Sequence, residues 1–235
     1  MSAEPERERP GGSRTRDDDV PIEPRWPVAL VILTFVAITI ALRVAQPDRQ
    51  SLGPRWLVPG IEIGMLVALL AADPAHVHER RKWLRPVAIA LVGALAVVAL
   101  VAAGTLITQL VTGGKVTNSA GPLLASGTLI WLGNMLVFSL LYWLLDSGGP
   151  LARYEGERDY PDFLFTQQAS PEFAPPGWKP HYVDYLILGL NTSTAFSPTD
   201  VMPMSRWAKL TMALQSLLSL VVIGLVIARA VNVFT

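Results

Sequence analysis

Apolar residues in this chain come in long runs rather than at amphipathic helical or strand spacing, the pattern of segments surrounded by hydrocarbon. Crossing the hydrocarbon core takes about 20 apolar residues in a helix. Residues 26–44 (WPVALVILTFVAITIALRV), 87–111, 123–145 and 207–234 reach that class, and residues 57–72 form a shorter run that contains Glu62. Five of the seven tryptophans (Trp26, Trp56, Trp83, Trp143 and Trp207) stand at or near the ends of these runs, where the amphipathic indole prefers to sit. A sixth stretch, 182–196 (YVDYLILGLNTSTAF), spans only about 22 Å as a helix. Its second half turns polar and Pro198 follows. It either crosses in a thinned or tilted way or enters and leaves on one side, which would put the C-terminus outside; six crossings are the favoured expectation. The pattern predicts an all-α polytopic membrane protein with five long transmembrane helices plus one short or broken segment. Four of the helices fall within 26–145, a polar loop occupies 146–180, and 181–235 holds the short segment and the last helix.

Composition sharpens this picture. Hydrophobic residues make up 51% of the 235 and charged residues only 16%, against about 25% charged in soluble domains; mean hydropathy is +0.39. The charges cluster between the runs. Residues 1–25 mix both signs with Pro, Gly and Ser, which predicts a disordered tail. The first apolar run follows acidic sequence and is read as a retained helix rather than a cleaved signal. With that tail in the cytoplasm and six crossings, the loops on its side carry about twice as many Lys and Arg residues as those outside, which favours both termini inside. A zero net charge gives no general attraction to nucleic acid, and the lack of cysteine excludes thiolate chemistry and cysteine-ligated metals.

Helices in lipid associate through small and polar residues. Gly60 and Gly64 form a GxxxG. Ala208, Thr211, Gln215 and Ser219 make a stripe on the last run that should face another helix, and Asn134 needs a hydrogen-bond partner at mid-run. Glu62 is either a proton or cation site or a solvated carboxylate near the surface. His76 and His78 lie two apart in a basic loop, too little for a metal site, and no metal or cofactor is expected. Motifs of hydrolases, P-loop proteins and dinucleotide-binding enzymes are lacking, so the chain reads as a non-enzyme. The acids of residues 154–162 (YEGERDYPD) read as a solvated loop.

The stretch with most chemistry is Asn191 to Asp200, NTSTAFSPTD. Non-helical backbone at membrane depth persists only where protein or a water-filled cavity satisfies it. The layout resembles the pore loop of potassium channels, T-x-G-Y-G-D with a proline three residues on. Thr194, Asp200 and Pro203 fall in register, while Ser197 and Thr199 stand for the glycines and Pro198 for the aromatic residue. Over residues 75–234 the chain is also similar to an uncharacterised family of bacterial integral membrane proteins with a conserved domain of unknown function. That likeness rests on Glu79–Lys82, Asp159-Tyr160-Pro161, Tyr182–Leu186, Ser197–Asp200, Leu217-Leu218-Ser219 and Ala230-Val231-Asn232, and it implies a multi-helix inner-membrane protein.

The expected function is a permeation pathway for an ion or small solute across the lipid bilayer, with a monovalent cation or proton as the candidate ion. Asn191, Thr192, Ser193, Thr194, Ser197 and Thr199 would supply oxygen atoms, Asp200 would attract cations at the mouth, and Thr211 and Gln215 would line the adjoining helix. Glu62 is the further polar candidate. One chain or a homo-oligomer would enclose the path. The rival expectation is a membrane scaffold or partner-binding protein in which the same turn merely caps the final helix.

Overall fold

The computed structural model describes residues 26–45, 60, 64, 77–112, 119–194 and 201–234. Glu62, Ser197, Thr199 and Asp200, together with the N-terminal tail, lie outside these. The chain forms α1 (Trp26–Ala45), α2 (Val77–Thr112), α3 (Ala120–Leu145), a 3₁₀ turn (Asp146–Gly148) and α4 (Pro150–Glu155). There follow β1 (Phe163–Phe165), α5 (Thr166–Ala169), a second 3₁₀ turn (Pro171–Phe173), α6 (Tyr182–Thr194), β2 (Val201–Pro203) and α7 (Arg206–Phe234).

The all-α expectation holds at the level of class, with one two-stranded ribbon added. Among the described residues three segments, Pro86–Thr112, Ala120–Gly148 and Arg206–Val233, are long and apolar enough to cross a bilayer, and α1 carries a shorter apolar stretch, Trp26–Leu42. The run 57–72 is described only at Gly60 and Gly64; a side chain at Gly64 would touch Leu91 of α2. Helix α2 begins ahead of its apolar run and continues through Pro86.

Helix α3 is the hub. Its apolar window is 61% buried, against 22% for those of α2 and α7. Glycines let neighbours close in, as they do wherever helices pack without a hydrophobic driving force. Gly133 receives Phe35 and Ile38 of α1, Gly127 receives Val226 of α7, and Gly189 of α6 lies against Ser139 and the Met135 carbonyl.

The contacts also fix direction. Along α6, Tyr185 meets Asp146 just past the end of α3. Gly189 meets Ser139, and the Ser193 carbonyl accepts Trp131 Nε1 at 3.2 Å. Helix α6 therefore runs antiparallel to α3. Helix α7 does the same, from Tyr142–Gln215 to Gly127–Val226. Both helices start at the end where α3 stops, and the chain returns there between them, because β2 pairs antiparallel with β1 (Phe163 opposite Pro203, Phe165 opposite Val201).

The stretch 182–196, expected as a short or broken segment, forms a helix of 13 residues, about 20 Å, and by β2 the chain is again beside β1. A helix this short with a polar end cannot span about 30 Å of hydrocarbon, and here the polar end is held among α3 and α7.

The expected polar loop 146–180 is a folded cap. Phe163 and Phe165 are buried with Phe138, Tyr142, Tyr185 and Ala208. The rings meet edge-to-face, Tyr142–Phe163 at 5.1 Å and Phe163–Trp207 at 5.5 Å between centroids, the arrangement aromatic quadrupoles favour.

Candidate functional site

The short helix α6 gathers several of the residues singled out above, though not as free ligands. Thr192 donates to the Leu188 carbonyl at 2.8 Å, Ser193 to Leu190 at 2.9 Å and Thr194 to Asn191 at 3.0 Å. Thr211 likewise turns back onto Trp207 and Ala208. Hydroxyls on a helix readily bond the carbonyl one turn before them.

Gln215 is fully buried and joins three helices. Its Oε1 accepts the Tyr142 hydroxyl at 2.5 Å and its Nε2 donates to the Gly189 carbonyl at 2.8 Å. One residue on, Ser216 Oγ donates to the Thr192 carbonyl at 3.1 Å. With Trp131 on Ser193, two carbonyls that the end of α6 leaves without a helical donor thus have partners from α3 and α7. The stripe Ala208–Gln215–Ser219 is buried as expected, and Thr211 is half-buried.

Asn191 points away from that seam. It borders a cleft of about 200 Å³ with Thr166, Gln167, Asp184, Leu188 and Val201, beneath the ribbon. Asp184 caps α6, its Oδ2 accepting the His181 N–H at 2.8 Å. Deep in the bundle, Asn134 Oδ1 and Ser219 Oγ have no hydrogen-bond partner among the described residues. No group of three metal-ligating His, Cys, Asp or Glu side chains occurs among the described residues.

Sequence reasoning missed what anchors α6. Asp146 is 1% exposed. Its Oδ1 accepts the N–H groups of Asp162 at 3.0 Å and Phe163 at 3.1 Å and the Ser147 hydroxyl at 3.1 Å. Its Oδ2 accepts the Tyr185 hydroxyl of α6. Asp162 answers across the turn. It is also buried; its Oδ2 accepts the Ser147 N–H at 3.0 Å, and its Oδ1 accepts Trp207 Nε1 of α7 at 2.8 Å. Arg158 stands 3.7 Å from the same carboxylate.

The two acids therefore tie the end of α3 to the starts of α6 and α7. Arg153 closes the end of α3 by donating to the Trp143 and Asp146 carbonyls at 2.6 and 3.0 Å, with its guanidinium 4.8 Å from the Tyr185 ring centroid. Ser147 adopts φ +53° to make this turn, a conformation unusual outside glycine. One signal was present in the sequence. An aspartate at the C-terminal end of a helix opposes the helix dipole, so Asp146 at the close of an apolar run needs compensating donors.

Comparison of the chain with protein-family models, curated proteins and solved structures gave no match.

Proposed function

We propose that this chain is a multi-pass protein of the bacterial inner membrane that lines a pathway for a monovalent cation or proton, with α6 as a half-membrane helix. The observation that carries the reading is that α6 and α7 leave from one end of α3 while the chain returns to that end between them. Backbone that turns inside the hydrocarbon is tolerated where it faces protein or a water-filled path. The C-terminal end of a half-helix also brings partial negative charge to mid-membrane, favouring a cation.

Orientation supports the same arrangement. A half-helix leaves five crossings, the run 57–72 included. A cytoplasmic N-terminus then puts the cap inside, and the C-terminus outside. Arg206 and Lys209 join the inner side and Arg229 the outer, so the Lys and Arg bias grows rather than shrinks. Because Thr192, Ser193, Thr194, Thr211 and Gln215 are engaged within the bundle, the oxygens offered to an ion are those of the turn: Ser197, Thr199, Asp200 and the backbone around them. That same engagement is what favours the second reading, a scaffold in which the turn is only a joint.

Flux separates the two. Purified protein in liposomes is expected to pass protons or a common monovalent cation above the rate of empty vesicles, and Asp200→Asn to slow that flux several-fold. Flux equal to empty vesicles for every such ion assigns the chain to the scaffold class.

A further inference from the structure

Helix α7 presents an outer strip with an unequal distribution of chemistry. At 100° per residue, Arg206, Lys209, Leu210, Ala213, Leu217, Leu220 and Gly224 fall within about 100° of arc. All are exposed, Leu210 at 71%, Leu217 at 62% and Leu220 at 59%. The two cations stand at the head of the strip and everything below them is apolar. Neither has an acidic partner among the described residues, unlike Arg158, which pairs with Asp162.

Their outward direction is fixed by the fold. Trp207, between them, is held inward by Asp162 at 2.8 Å and by Phe163, and Ala208 is fully buried. This sets the rotation of the first turn, which leaves Arg206 and Lys209 facing out. Exposed Met202 and Met204 precede them at the same level.

We infer that this strip binds one anionic phospholipid, its phosphate between Arg206 and Lys209 and an acyl chain along Leu210, Leu217 and Leu220. Lengths agree: Leu210 to Leu220 covers about 15 Å, half of a hydrocarbon core of roughly 30 Å and so one leaflet. A guanidinium and an ammonium a turn apart match a phosphodiester, and in the orientation above they lie at the cytoplasmic surface. The inference requires α7 to lie in a bilayer and does not require a pathway, so liposome flux and lipid binding fail independently.

The test uses the full chain in a neutral detergent, with lipid retention counted by native mass spectrometry. Dioleoyl phosphatidylglycerol should be retained about tenfold better than dioleoyl phosphatidylcholine, the order expected of two surface cations. Arg206→Gln with Lys209→Gln should abolish the preference without moving the lipid-free thermal midpoint, and Arg206→Lys should keep most of it. Equal retention of the two lipids by the unmodified chain overturns the inference, and needs no variant to fold. So does loss of the retained phosphatidylglycerol on adding an equal concentration of inorganic phosphate, which would mean a free-anion site. A lipid-free dimer that the double variant dissociates gives the strip to a second copy and overturns it as well.

Discussion

Asp146→Ala is expected to cost about 4 kcal/mol of stability and to release α6. The substitution leaves the buried N–H groups of Asp162 and Phe163 and the Tyr185 hydroxyl without their acceptor. Each unsatisfied buried group costs about 1–3 kcal/mol, and the small cavity adds to that. Asp146→Asn separates shape from charge. Its remaining oxygen still serves the two backbone donors, but the amide nitrogen opposite Tyr185 cannot accept, so about 1–2 kcal/mol should go. Reversible unfolding in detergent measures both, and hydrogen exchange across 182–194 reports whether α6 loosens first. A loss below about 1 kcal/mol for Asp146→Ala would mean that the carboxylate is ornamental.

Gly189→Val should be the next most damaging change. A Cβ at this position would lie 3.0 Å from Ser139 Cβ and 3.2 Å from the Met135 carbonyl oxygen. The second neighbour is helix backbone, which yields only if α6 moves away from α3. Overpacking typically costs about 1–3 kcal/mol. Valine should reach the upper end, because the shift also stretches the bond from Gln215 Nε2 to the Gly189 carbonyl. Gly127→Ala makes the informative contrast. The Cβ there would come within 2.7 Å of one Val226 methyl and 3.0 Å of the other, and a β-branched side chain cannot rotate clear of both, but alanine adds one carbon where valine adds three, so its loss should be smaller. Gly104→Ala, with nothing within 4 Å, should lose nothing. Thermal midpoints ordered 189, then 127, then 104 are the expected outcome, and Gly189→Val as mild as Gly104→Ala would contradict the close approach.

Much of the helical scaffold was legible because hydrophobic length is a local property. The runs 26–44, 87–111, 123–145 and 207–234 fall on α1, α2, α3 and α7 with small shifts at their ends, except that α2 starts ten residues ahead of its run. The buried polar stripe of α7 was legible for the same reason, since Ala208, Gln215 and Ser219 share one face whatever packs on it. The return of α6 was not. A short apolar stretch with a polar end has the same hydropathy whether it crosses at a tilt or turns back. What decides is a three-residue ribbon joining Phe163–Phe165 to Val201–Pro203, too short to show a period.

The fate of the hydroxyls was hidden in a similar way. Thr192, Ser193 and Thr194 look like a ligand set as a string of residue types, and on a helix they bond their own carbonyls. Asp162 read as one more acid in a solvated loop because its partners, Ser147 and Trp207, are 15 and 45 residues away.

The central claim is that the chain enters and leaves the membrane on one side around α6, and side-specific labelling tests it most directly. The chain has no cysteine, so single substitutions at His181 and Met204, both exposed and flanking the excursion, and at exposed Asn232 near the C-terminus report without background. An impermeant maleimide should label 181 and 204 from the same face, the cytoplasmic one, and 232 from the opposite face. Labelling of 181 and 204 from opposite faces would make α6 a crossing and contradict the half-helix.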